Sequence, residues 1–225
     1  MKAISEFLKT KKQYLKVVLV ITLCFITIFS SMVISGGLKE ETLNTTIQTK
    51  ILQAKLQGLG YYENLINGKF DRETIKALKQ YQKDVGLEQT GVLDDSTMCA
   101  VGVSNNAQQN NNLYLLAKLI HSEARGEVYT GQVAVGAVVL NRVDSADFPN
   151  TLEGVIYQPW AFTALHDGQF DLEPTSESYQ AAEDALSGWD PTYGCLYYYN
   201  PRTATSKWIF SREIAVEIGN HVFCY

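Results

Sequence analysis

Between Val17 and Ser35 the chain carries no charged side chain, and Lys2, Lys9, Lys11, Lys12 and Lys16 precede that run. A basic flank before a long apolar stretch predicts an export segment over residues 1–38, with the flank kept inside. The run is 19 residues long, close to the ~20 that cross a bilayer. Its length fits a cleaved signal and a retained anchor equally. Ser30, Ser31 and Ser35 are the small residues nearest a cleavage site, and Leu23 before Cys24 argues against lipoprotein processing.

Helical periodicity follows. Leu52, Leu56 and Leu59 recur on one face of a predicted helix Thr46–Leu59, and Ile75, Leu78, Gln82 and Val85 on one face of Arg72–Val85. Gly60 and Gly86 stand where helices stop. Gly68-Lys-Phe-Asp-Arg-Glu-Thr74 and Gly91-Val-Leu-Asp-Asp-Ser-Thr97 share one pattern: a glycine turn, an apolar plug, and an Asp that caps a helix three residues before Thr. The expectation is a small three-helix unit over 44–102. Residues 103–112 are almost wholly polar (Ser, Asn, Gln) and read as a linker.

Beyond it, Leu113, Leu116, Ala117, Ile120 and Ala124 form an apolar stripe on a helix that Asn112 is placed to cap. Val133 to Leu140 is apolar on all sides, so Gly131–Val143, capped by Thr130, reads as a central helix. Shorter helices are expected at Leu152–Gln158 and Glu177–Ser187. The stretch Cys195–Tyr199 is β-prone, and Ile214–Ile218, Gly219-Asn220 and His221–Tyr225 read as a hairpin with a two-residue turn. Helices first and short strands last make the class α+β, with the second domain over 113–225.

Composition narrows the field. Apolar residues make up 46% and charged residues 19%, which excludes a fully disordered chain. Net charge is +4 over 1–38, −1 over 39–100 and −8 over 101–225. No globular segment has the basic excess that nucleic-acid binding requires. Cys24, Cys99, Cys195 and Cys224 lack C-x-x-C spacing, and outside the cell a Cys195–Cys224 bridge stays open. His121, His166 and His221 form no H-E-x-x-H pair, and there is no G-x-S-x-G. Neither a metal site nor a cofactor is indicated.

Glu123 falls on the flank of the buried stripe, near its helix end. A carboxyl held there is partly desolvated, which raises its pKa toward what a general acid needs. Spacing alone favours the plainer reading, a surface glutamate. Glu127 is a candidate second carboxylate; its plainer role is to bond the backbone or pair with Arg125. Tyr129, Gln158, Phe162, Tyr199 and Asn200 are candidate sugar contacts, since pyranose C–H faces pack on aromatic rings and amides bond hydroxyls.

Two resemblances add to this. Ile51-Leu-Gln-Ala-Lys-Leu-Gln-Gly-Leu-Gly-Tyr-Tyr62, Asn67-Gly-Lys-Phe70, Thr74 and Tyr81-Gln-Lys-Asp-Val-Gly-Leu87 resemble the peptidoglycan-binding three-helix domain of cell-wall hydrolases. Phe70-Asp71 departs from that family's usual Phe-Gly. Ser122-Glu-Ala-Arg-Gly-Glu127, Gly131–Val143, Phe148-Pro-Asn-Thr151, Val155-Ile-Tyr-Gln158, Ala161-Phe162, Tyr198-Tyr-Asn-Pro201 and Ile218-Gly-Asn-His-Val-Phe223 are similar to the spore cortex-lytic, germination-specific (SleB-like) cell-wall hydrolases. That resemblance implies a lysozyme-like catalytic domain, Glu123 as catalytic acid, and lytic transglycosylase action on the glycan backbone of the exported wall or spore cortex. Its implied partners are peptidoglycan glycan strands and, as a further candidate, an accessory germination protein. A membrane contact follows if the first segment is uncleaved. An amidase cutting the lactyl–alanine bond and a non-catalytic wall-binding protein are the competing readings.

Overall fold

A computed structural model describes residues 40–225, and the expected export segment, with Cys24, lies outside them. Among the described residues no helix is long and apolar enough to cross a membrane. Thr45–Tyr225 form one compact unit.

Helix α1 is helical over 40–58, followed by α2 (Arg72–Asp84) and α3 (Asp95–Val101). The repeated caps form as the pattern predicts. Asp71 accepts from the Thr74 N–H at 3.0 Å and Asp94 from the Thr97 N–H at 2.8 Å. Periodicity does not reveal what sits beneath them. Gln53 and Gln82 are fully buried, each reaching from a helix into the loop that follows. Gln53 accepts from the Gly68 N–H and donates to Thr74 Oγ1; Gln82 accepts from the Gly91 N–H and donates to Thr97 Oγ1. Buried amides are tolerated because both ends are bonded. Leu52, Leu56 and Leu78 fill the core, while Leu59, Phe70 and Val85 point outward, so the apolar face is narrower than the spacing suggested.

The polar stretch behaves differently from a linker. Helix α4 runs Ala107–Ala124 and is capped by Asn106, which accepts from the Gln108 and Gln109 N–H groups, not by Asn112. The Ser104 carbonyl accepts from Gln48 of α1 and from Asn110 of α4. These amides close a helix N-terminus and bind a neighbouring helix, so their polarity is spent inside the fold.

α4 packs against α5 (Tyr129–Asp144) and α7 (Ser176–Leu186), with α6 (Leu152–Ile156) alongside. α5 is buried on all sides and begins at Val128 with no side-chain cap, so Thr130 lies inside the helix. A Cβ at Gly136 would meet Ile120 and Ala185, and its absence lets α4, α5 and α7 close up. β1 (Tyr197–Tyr199), β2 (Ile214–Ile218) and β3 (His221–Cys224) form an antiparallel sheet ordered β1-β3-β2, with β3 buried throughout. Cys195 and Cys224 are buried free thiols.

Ion pairs join the first three helices to the rest. Lys50 Nζ lies 2.5 Å from Glu173 and 3.0 Å from the Tyr114 hydroxyl, and Lys55 Nζ lies 2.5 Å from Glu183. A cavity of about 540 Å³ opens at this seam, lined by Lys55, Tyr61, Tyr81, Tyr179 and Glu183 among others.

Candidate active site

Glu123 sits one residue before the end of α4 and is half-buried. Its Oε1 accepts from the Ala164 N–H at 3.2 Å and its Oε2 from the Tyr198 hydroxyl at 3.2 Å. Three distant parts of the chain therefore converge. α4 supplies the acid, a 3-10 turn Thr163–Leu165 supplies the amide, and β1 supplies the phenol. Burial pushes Glu123 above its ordinary value of 4.5, and the Asp167 charge acts in the same sense. The bonds from Ala164 and Tyr198 and the charge of Arg142 act against it without cancelling it.

Tyr198 is held from behind. Its ring meets His221 edge-on at 5.2 Å and tilts against Phe223 at 5.9 Å. Burial and the neighbouring Glu123 raise its pKa well above 10, so the phenol stays a donor. Arg142 is buried under Leu196, to whose carbonyl its Nε donates at 2.8 Å. Its guanidinium lies over Phe148 and Phe162, 5.3 Å from each centroid, and 5.6 Å from Tyr197. Burial lowers its pKa, yet it remains cationic and within electrostatic reach of Glu123.

Glu127 has a different task. Its Oε2 accepts from the Asn220 backbone N–H at 2.8 Å and its Oε1 from the Asn220 side chain at 3.1 Å. Burial opposes its charge, but these two bonds and His221 outweigh burial and lower its pKa. It staples the β2–β3 turn, where Gly219 takes φ +61 and a Cβ would collide with the Glu127 carboxylate.

The five expected sugar contacts fare unevenly. Phe162 is core, 3% exposed beneath Arg142. Tyr129 donates to Asp184 at 2.6 Å and packs on Trp189, tying α5 to α7. Asn200 folds its own loop, accepting from the Arg202 N–H at 2.9 Å. The Phe162 ring, the Tyr129 hydroxyl and the Asn200 Oδ1 are thus engaged within the fold. Gln158 is half-buried at the turn leading to the Glu123 loop, and Tyr199 is half-buried against Phe210. Tyr198 and Arg142 were missed. Three consecutive tyrosines hide which one faces inward, although strand alternation sends the middle one opposite its neighbours.

Residues 126–224 match the family described as Cell Wall Hydrolase, and 47–100 match a peptidoglycan binding domain family. Glu123 lies just before the first of these segments. The chain is similar to a spore cortex-lytic enzyme of Bacillus cereus, 39% identical over 232 residues, covering 87% of each chain. It is also similar to the catalytic domain of the Bacillus cereus SleB protein, with TM-score 0.50 and 54% identity, covering 55% of this chain and 95% of that one. The catalytic domain of the germination-specific lytic transglycosylase SleB from Bacillus anthracis aligns at TM-score 0.51 and 54% identity, covering 55% of this chain and all of that one.

Proposed function

The chain belongs to the spore cortex-lytic enzymes, a family of cell-wall hydrolases that cleave peptidoglycan, and on that premise we propose that Glu123 is its catalytic acid in a lytic transglycosylase reaction on the glycan backbone. The protonated carboxyl gives its hydrogen to the oxygen joining N-acetylmuramic acid to N-acetylglucosamine. The C1–O bond breaks and C1 takes on oxocarbenium character. The same carboxylate then accepts the proton of the muramic 6-hydroxyl as that oxygen bonds to C1. The products are a free N-acetylglucosamine hydroxyl and a 1,6-anhydro ring, with no water consumed and Glu123 reprotonated.

One observation carries this reading. A single half-buried carboxyl with a raised pKa is held by two donors, while Glu127 is committed to the hairpin and Asp167, exposed to solvent, is bonded to the Gln169 amide groups. Hydrolysis by water ordinarily engages two carboxylates. A transglycosylase needs one, because the nucleophile belongs to the substrate.

Action is outside the cytoplasm. The basic flank and uncharged run at 1–35 support export, with the segment removed or kept as an anchor. The N-terminal helices over 44–102 serve to hold peptidoglycan, with 113–225 as the catalytic part.

The test is mass spectrometry of the products that the purified full chain releases from spore cortex. Anhydro-muropeptides, lighter by one water than hydrolysis products, support the reading. Reducing muramic ends would overturn the transglycosylase step, and free peptides would identify an amidase.

A further inference from the structure

After α6 the chain makes a turn that its sequence is badly suited to. Gln158-Pro159-Trp160-Ala161 is closed by the Ala161 N–H, which donates to the Gln158 carbonyl at 3.1 Å. Proline in the second place and a positive φ in the third follow the type II pattern, whose third residue is ordinarily glycine. Here it is Trp160, at φ +66. A bulky side chain in that conformation is strained.

Burial does not offset the strain. The Trp160 side chain is 87% exposed, more than any other large apolar residue among the described residues. Its indole rests against the His166 ring, with centroids 5.2 Å apart and planes inclined by 36°. Between these two rings runs the turn Thr163–Leu165, whose Ala164 N–H donates to Glu123. The His166 N–H closes that turn on the Thr163 carbonyl at 2.9 Å. The exposed ring and the amide that holds the acid thus belong to one short loop.

We propose that Trp160, backed by His166, is a stacking platform for a hexosamine ring of the glycan strand, placed beside Glu123. A pyranose ring presents a face of C–H groups, which an indole face binds with little need for charge. The turn directs the Trp160 side chain outward and the His166 ring backs the indole, which limits the freedom lost when a sugar settles on it. The core-bound Phe162 cannot do this, and Trp160 supplies what was expected of it. The platform rests on the reading of Glu123 as the acid that cuts this strand.

The test compares Trp160→Gly and Trp160→Phe in the full chain on soluble cortex glycan fragments. Glycine suits the turn, so Trp160→Gly folds and melts no lower than the parent. It raises KM roughly tenfold while kcat stays within about twofold, and Trp160→Phe recovers most of the affinity. In the inactive Glu123→Gln background, saturation-transfer NMR detects fragment binding that Trp160→Gly loses. An unchanged KM and unchanged NMR binding would overturn the platform. So would intact glycan binding together with loss of vesicle binding or self-association, which would make the ring a membrane or protein contact. A parent chain that binds fragments through Trp160 but releases no anhydro products would sink the reading of Glu123 and leave the platform standing.

Discussion

The Tyr198 hydroxyl reaches Glu123 Oε2 at 3.2 Å across 75 positions of sequence. That bond stabilises the charged carboxylate, in opposition to burial. Replacing Tyr198 by Phe therefore moves the Glu123 pKa further up. The alkaline limb of the kcat/KM profile shifts to higher pH, and the maximum falls about tenfold as the carboxyl loses its fixed orientation. A pH–rate series on cortex fragments checks this, and a limb moving to lower pH would contradict it.

Glu123→Gln removes the transferable proton and lowers muropeptide release by roughly 10²–10⁴-fold. The fold survives, since an amide still accepts from Ala164 and donates to the Tyr198 oxygen. Stability carries a second signature. Glu123 has a raised pKa in the folded state, so its contribution is complete below the ordinary value of 4.5 and lost as pH rises through the folded value. The variant therefore gains melting temperature relative to the parent at pH 7 but not at pH 4. Equal differences at both pH values would refute the desolvation.

Glu127→Ala unfastens the hairpin turn and costs about 1–2 kcal/mol, with kcat changed only a few-fold. Gly219→Ala costs about 1 kcal/mol through its positive φ alone, and more through collision with Glu127. Denaturant titration of the single and double variants should give less than the sum of the two losses. Strict additivity would mean that the two residues do not meet.

Lys50 is mostly shielded where it pairs with Glu173 and touches Tyr114. A double-mutant cycle of Lys50→Ala and Glu173→Ala should give a coupling of about 1 kcal/mol, at the upper end for such pairs, weakening with salt. Cleavage of short soluble glycans should stay unchanged.

Most helices were legible because their apolar stripes are also their buried faces, and Asp71 and Asp94 advertise their caps. For Glu123 the stripe left a surface glutamate the plainer reading, and the family resemblance singled the residue out; its half-burial follows from lying on the edge of a packed face. Its partners were not legible. Ala164 contributes a backbone amide, which has no sequence signature, and Tyr198 is one of three adjacent tyrosines. Phe162 and Asn200 show why sugar contacts are hard to read, since an aromatic and an amide look alike in sequence whether they meet a ligand or their own fold. Polar composition misled at 103–112, where amides serve a helix start.

Helix α4 begins in that polar stretch, bonded through Ser104 to the first helix, and ends at the acid. At 1.5 Å per residue it is a rod of about 27 Å. The first three helices and Glu123 are thus joined through one continuous rod instead of a swinging tether.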